Sequence, residues 1–124
     1  MDLNQVTVPS LDVAASVEFY KRLGLRLIVD SIPRYVRLEC PDGTSTLSVE
    51  HATEVPNGLG VVIYFECGDL DSTVDRLRAA GIVFDSAPTD KPWLWREARL
   101  RDPGNNRICL FHAGENRTNP PWRI

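Results

Sequence analysis

The sequence predicts an α+β fold in which two β-α-β-β-β modules lie side by side and form a curved, incomplete barrel around one cavity. Three observations lead to this prediction. A helical pattern with an aspartate at its start and a glycine at its end occurs twice, over 12–24 and 69–81. The two copies are offset by 57 residues, since 81 minus 24 is 57. Extended segments surround both copies in the same order, which indicates an internal repeat.

The first helix is predicted to begin near Asp12 and to end at Gly24. Val13, Val17 and Tyr20 recur at i, i+4 and i+7, which places them on one helical face. Glycine is the usual residue just after a helix, because it adopts a left-handed backbone without steric cost.

The second helix repeats this pattern and is predicted to begin near Asp69 or Asp71 and to end at Gly81. Its apolar residues have the same spacing: Leu70, Val74 and Leu77. Two helices of the same length, with the same start and end signals, support a duplicated unit.

Each helix is predicted to follow one strand and to precede three. The first module has strands at 2–9, 25–30, 34–40 and 45–51, and the second at 60–67, 82–86, 94–101 and 106–112. In each module the last two strands are joined by a turn, "PDGT" or "DPGNN". The chain is therefore one domain: module 1–51, linker 52–59, module 60–112, and a tail at 113–124 expected to be extended coil. A ferredoxin-like β-α-β-β-α-β fold is the rival, but it leaves a strand in each half unused.

Composition excludes several classes of function. The net charge of −3 supplies no basic surface for nucleic acid. The first residues lack the pattern of a signal peptide, and no apolar run approaches the roughly 20 residues of a membrane span. The three cysteines are widely spaced, without a CxxC pair, which is typical of a reducing compartment. We therefore expect a cytoplasmic protein with neither nucleic acid nor membrane as partner.

Three segments, "VTVPSLDVAASVEFYKRLGL", "VIYFECGDLDSTVDRLRAAGI" and "WREARLRDPGNNRICL", resemble the vicinal oxygen chelate superfamily. This superfamily includes glyoxalase I, extradiol dioxygenases, fosfomycin-resistance enzymes and bleomycin-resistance binding proteins. The resemblance extends from residue 2 to about residue 112. It implies the duplicated fold and a homodimer, but not one activity, because the scaffold carries many chemistries.

The resemblance also implies four positions at which metal-dependent members hold a divalent ion. Here they are Gln5 on the first strand, Glu50 on the fourth, Val62 on the fifth and Cys109 on the eighth. Ser48 is the alternative on the fourth strand. Valine offers no donor atom, and an amide is a weak ligand, so no metal and no other cofactor is expected.

Other residues suit the binding of a small organic molecule. Trp93 and Trp95 flank the Pro-rich loop "SAPTDKPWLW" and, with Arg96 and Glu97, would suit a flat ligand by stacking and ion pairing. The alternative is that the two tryptophans cover the core or a subunit interface. Both share a face of the predicted seventh strand, so we expect both to be buried or neither.

Two residues of the third strand, Tyr35 and Arg37, also share a face, and Arg37 suits a substrate carboxylate. Together with Gln5, Val62 and Cys109, they are expected to line the cavity.

Two functions follow from these residues. The first is a metal-free binding protein that holds an aromatic or cationic compound in the cavity. The second is a metal-independent or atypical lyase or isomerase in which Glu50, desolvated in the cavity, transfers a proton. Release of the compound unchanged, as opposed to turnover, discriminates between them.

Overall fold

The computed structural model describes residues 1–58 and 60–124 and contains, within them, two four-stranded sheets, each with one helix. Their elements follow one another in the order β-α-β-β-β, twice. The predicted α+β fold of two modules is therefore confirmed. The structural repeat also keeps the offset of 57, because the first strands start at Gln5 and Val62 and the helices at Val13 and Leu70.

The first unit comprises Met1–Val61 and Asp102–Asn106. Its elements are β1 (Gln5–Ser10), α1 (Val13–Arg22), β2 (Arg26–Ser31), β3 (Tyr35–Glu39) and β4 (Thr46–His51). The strands lie in the order β1-β4-β3-β2. β1 and β4 are parallel, whereas the other two pairs are antiparallel.

One face of this sheet forms the core of the first unit with α1. The buried apolar residues on the strands are Val8, Val36, Leu38, Leu47 and Val49. They pack against the apolar face of α1, which consists of Val13, Val17 and Tyr20. The side chain of Asp12 caps the helix by accepting from the Ala15 N–H at 3.1 Å, and Gly24 follows it with φ +103°. The remaining residues of the strands point to the opposite face, which we call the open face.

A turn at 102–106, between the seventh and eighth strands, belongs to this same unit and is held by a buried hydrogen-bond network. The Tyr20 hydroxyl donates to Asp102 Oδ2 at 2.5 Å, and the Asn106 backbone N–H donates to Asp102 Oδ1 at 2.8 Å. The Asn106 side-chain amide donates to the Pro9 carbonyl at 3.0 Å. Burial, and then the Asp102 carboxylate, raise the pKa of Tyr20 far above its ordinary value.

The second unit comprises Val62–Arg101 and Arg107–Ile124. Its elements are β5 (Val62–Glu66), α2 (Leu70–Ala79), β6 (Ser86–Asp90), β7 (Arg96–Arg101), β8 (Arg107–His112) and a 3₁₀ helix (Gly114–Arg117). The strand order β5-β8-β7-β6 repeats that of the first unit. Its helix covers the face that carries Ala98, Leu100, Ile108 and Leu110, all of them buried.

The predicted sixth strand and the predicted tail differ from the structure. The sixth strand is Ser86–Asp90 and not 82–86, because the Ile82 N–H still caps α2 by donating to the Leu77 carbonyl at 3.0 Å. The tail is not extended throughout, because Gly114–Arg117 form a 3₁₀ helix. At its start Glu66 accepts from the Ala113 and Gly114 N–H groups, each at 2.8 Å.

Within the described part of the chain, none of the helices is long and apolar enough to cross a membrane.

Candidate functional site

The open face of the first sheet carries a polar network, which we call the first-sheet cluster: Gln5, Tyr35, Arg37, Thr46 and Ser48. The Tyr35 and Ser48 hydroxyls are 2.6 Å apart, and Arg37 Nε donates to the Tyr35 oxygen at 3.1 Å. The hydrogen bond with Ser48, more than the neighbouring guanidinium, lowers the pKa of Tyr35. Tyr35 and Arg37 share a face, as the alternation predicts, and the Arg37 guanidinium carbon lies 5.7 Å from the Tyr35 ring centroid.

Gln5 is held by hydrogen bonds at both ends of its amide. Its Nε2 donates to Ser48 Oγ at 2.8 Å, and its Oε1 accepts from the Thr46 hydroxyl. These bonds turn the amide oxygen, the atom with which a glutamine coordinates a metal, toward a neighbouring strand.

The strand register makes Ser48, rather than Glu50, the fourth-strand counterpart of Cys109. β1 pairs Thr7 with Ser48, and β5 pairs Tyr64 with Cys109. Thr7 and Tyr64 are themselves 57 residues apart, like the helices. Ser48 is buried, whereas Glu50 is exposed and its side chain forms no hydrogen bond or ion pair with the part of the chain described. The proton-transfer role of Glu50 stays a prediction, and its exposure does not supply the desolvation that this role requires.

The face of the second sheet opposite α2, together with the turn before β7, carries a larger group, which we call the second-sheet cluster: Tyr64, Trp93, Trp95, Glu97, Arg99, Cys109 and Phe111. Its apolar part is aromatic. The Trp95 and Phe111 rings are stacked with centroids 4.7 Å apart, and Tyr64 meets both edge-on at 5.9 and 5.5 Å. Val62 packs, with Trp95, against Cys109 and Phe111.

A buried carboxylate forms the polar part of this cluster. Glu97 is 2% exposed and accepts from Trp93 Nε1 at 2.6 Å and from Arg99 Nη2 at 2.7 Å. Burial alone would raise the pKa of Glu97. The bonds from Trp93 and Arg99, with the positive charge of Arg99, outweigh burial and leave that pKa below its ordinary value.

Cys109 belongs to the same network as a neutral thiol. It is fully buried, and its Sγ lies 3.5 Å from Glu97 Oε1, to which it donates. Burial raises the pKa of Cys109 to about 12, with a smaller contribution from the Glu97 charge. A thiol that keeps its proton at neutral pH is neither a good nucleophile nor a ready metal ligand.

Trp93 and Trp95 do not share a strand face, contrary to expectation. The chain turns between Lys91 and Trp95, with the Lys91 N–H donating to the Trp95 carbonyl at 2.8 Å. Leu94 adopts φ +66° in this turn, and β7 starts only at Arg96. The strand alternation is broken there, so that Trp93 is 44% exposed while Trp95 is partly buried.

Arg96 also differs from expectation, since it pairs with Asp71 and Asp90 at 2.9 and 3.0 Å, on the side of the sheet that α2 covers. Arg99, Tyr64 and Phe111 were not predicted as site residues. A signal for Arg99 was present, because charges at 97, 99 and 101 alternate with Ala98 and Leu100, as on a strand with one apolar face.

The side chains at the four positions implied by the resemblance do not fit a divalent metal. Gln5 is engaged at both amide ends, Val62 has no donor atom, and Cys109 holds its proton as a donor to Glu97. On the fourth strand, Ser48 offers only a hydroxyl. In residues 1–58 and 60–124, no group of three or more His, Cys, Asp or Glu side chains could hold a metal ion.

Comparisons with known proteins agree with the fold. A family model described as Glyoxalase/Bleomycin resistance protein/Dioxygenase superfamily matches residues 2–110. A solved glyoxalase/bleomycin resistance protein/dioxygenase from Nocardioides is 26% identical, with a TM-score of 0.80 over 100% of this chain and 89% of that one. A lactoylglutathione lyase from Agrobacterium tumefaciens is 18% identical, with a TM-score of 0.73 over 90% and 92% of the two chains. No curated protein sequence matches.

Proposed function

Because this chain belongs to the Glyoxalase/Bleomycin resistance protein/Dioxygenase superfamily, whose one scaffold supports different chemistries, we propose that it binds a small planar organic molecule without a catalytic metal. The observation that carries the proposal is the second-sheet cluster. Three mutually packed aromatic rings lie beside a carboxylate and a guanidinium that hold each other in place. Such a combination of flat apolar surface and a few fixed polar groups is typical of ligand sites.

The exposure of the cluster supports direct contact with a ligand. Tyr64 and Trp93 are 43% and 44% exposed, so their faces are accessible to a second aromatic ring. The polar partners are already arranged, since Trp93 Nε1, Arg99 and Cys109 all bond to Glu97. A site arranged before binding loses less conformational entropy when the ligand arrives.

Binding can be followed by NMR, because each of the three tryptophans gives one indole N–H signal. We expect 2-naphthamide or 2-naphthoate to shift the signals of Trp93 and Trp95, whereas Trp122, which is outside the cluster, keeps its position. Trp93→Ala should weaken binding by about 1 kcal/mol, as for a partly exposed aromatic contact. The matched control is Trp122→Ala, which should bind like the parent. Recovery of the two probes unchanged after incubation supports binding over turnover. If neither probe shifts an indole signal, the proposal is overturned.

The metal-free part of the proposal has its own test. We expect protein purified without added metal to contain less than about 0.1 equivalent of Zn, Ni, Co or Fe, because the donor set lacks the imidazole and carboxylate ligands that such ions prefer. Elemental analysis of the dialysed protein measures this directly. A content of roughly one metal ion per chain would contradict the proposal.

We further propose a cytoplasmic homodimer. Cys40, Cys67 and Cys109 are not joined in disulfides, as is typical of a reducing compartment. The homodimer is supported by family membership alone.

A further inference from the structure

We infer that the planar ligand carries a negative charge, in the form of a carboxylate or a comparable oxyanion, and that Arg99 binds it. This inference rests on the proposed function and specifies its ligand class. Of the aromatic or cationic compound expected from the sequence, it keeps the aromatic alternative and replaces the cationic one.

The acidic group of the second-sheet cluster is not available to a cationic ligand. Glu97 Oε2 accepts from Trp93, and Oε1 accepts from Arg99 and Cys109. Its side chain is 1% exposed. An ammonium group would therefore have to displace internal donors from a buried carboxylate, which is unfavourable.

The basic group of the cluster retains free donors. Among the residues described, the Arg99 side chain uses Nη2 for both of its hydrogen bonds, to Glu97 at 2.7 Å and to the Tyr64 hydroxyl at 3.2 Å. Its Nε and Nη1 hydrogens have no partner among the residues described, and its side chain is 33% exposed. Since the guanidinium is already held by Glu97 and Tyr64, it presents these N–H groups in a fixed orientation, which favours a charge-assisted bond to an oxyanion.

The groove that Arg99 lines carries more positive than negative formal charge. A groove of about 280 Å³ in the second unit is lined by Arg99, Arg101, Arg107 and Asp85, a formal excess of two positive charges from three arginines and one aspartate. The Lys91 ammonium lies 6.0 Å from the Trp93 ring centroid. The chain as a whole carries −3, so this region is locally opposite in sign. Such a local field attracts anions.

The aromatic rings adjoin this charge. The Arg99 guanidinium carbon lies 5.4 Å from the Tyr64 ring centroid, and Tyr64 in turn contacts Trp95 and Phe111. An anionic group on Arg99 therefore places the body of the ligand against exposed aromatic surface. The ligand class that matches both features is a planar aromatic carboxylate.

Three probes of one shape test the inference: 2-naphthoate, 2-naphthamide and 2-naphthylmethylammonium, titrated by calorimetry. We expect naphthoate to bind about 10-fold more tightly than the neutral amide, with the cation weakest, and we expect its affinity to fall with added salt. Arg99→Gln should remove the preference for naphthoate and leave the amide within about 2-fold. Arg99→Lys should restore part of the preference because it keeps the charge.

The control is Arg96→Gln, an arginine of the same strand that faces Asp71 and Asp90. It should keep the preference for naphthoate. If Arg99→Gln does not fold, two other measurements test the inference. They are the salt dependence of naphthoate binding to the parent protein and the ratio of naphthoate to naphthamide affinity in Arg99→Lys. If naphthamide or naphthylmethylammonium binds as tightly as naphthoate, the inference about ligand charge is overturned and the proposed function stands. Failure of all three probes to bind overturns both.

Discussion

Replacing Asp102 by alanine should lower the free energy of unfolding by about 3 kcal/mol, because a buried network loses its common acceptor. Asp102 is 5% exposed and Tyr20 is fully buried. Without the carboxylate, the Tyr20 hydroxyl and the Asn106 N–H groups are left without this acceptor inside the protein. The measurement is urea denaturation of both proteins at neutral pH.

A double-mutant cycle with Tyr20→Phe separates this network from a general turn effect. We expect a coupling free energy of about 1 kcal/mol or more between Tyr20→Phe and Asp102→Ala, because the two side chains share one hydrogen bond. Asp42→Ala provides the matched control, since Asp42 lies in the corresponding turn of the first module but is exposed. It should change stability by less than about 0.5 kcal/mol. If the stability changes of Tyr20→Phe and Asp102→Ala are additive, or if Asp42→Ala loses as much stability as Asp102→Ala, the buried network is not the cause of the loss.

Glu97→Gln should cost about 2 kcal/mol of stability, because it keeps the shape of the side chain but removes the charge that Arg99 and the Trp93 indole face. The cost is below the roughly 3–5 kcal/mol typical of a broken buried pair, since Arg99 is one-third exposed and water screens the remaining charge. Glu50→Gln is the control, because Glu50 is an exposed strand carboxylate. It should stay within about 0.5 kcal/mol of the parent.

The difference in stability between the parent protein and Glu97→Gln should depend on pH, and the direction follows from the pKa of Glu97. The pKa of Glu97 is lowered in the folded protein, so its contribution to stability is present above the ordinary carboxyl pKa. As the pH falls, the unfolded state takes up the proton first, and the contribution disappears once the pH passes through the folded pKa. The stability gap between the parent and Glu97→Gln should therefore narrow in acid. A gap that is constant from neutral pH to strong acid would show that the charge of Glu97 is not responsible.

Much of the fold could be predicted from local patterns because these patterns act over a few residues. The N-caps Asp12 and Asp69 each accept a hydrogen bond from an N–H three residues on, at 3.1 Å in both helices. The strand boundaries at 82–86 and 94–101 were predicted less well. The helix cap at Ile82 and the turn at Lys91–Trp95 make the two strands begin later in the chain than predicted. Neither feature has a strong sequence pattern that would predict it.

The candidate site was only partly predictable, for a different reason. Gln5, Tyr35 and Arg37 were selected from alternation and resemblance, and the structure brings them together through Ser48. The sequence leaves the fourth-strand position open between Glu50 and Ser48, because the two hairpins differ in length. The offset between the modules therefore does not transfer the strand register from one module to the other.

The duplication can be recognised in the residue pattern, because helix start and end signals, apolar spacing and turn residues are local properties that recur 57 residues apart. The roles of the polar residues follow from their neighbours in the folded chain. Asp102 reads as an ordinary turn aspartate, yet it accepts from Tyr20, 82 residues away along the chain. Glu97 reads as one charge in an alternating strand, yet it is buried beneath Trp93, Arg99 and Cys109. The energy of a buried polar group depends on its partners in space, and the partners come from distant parts of the chain.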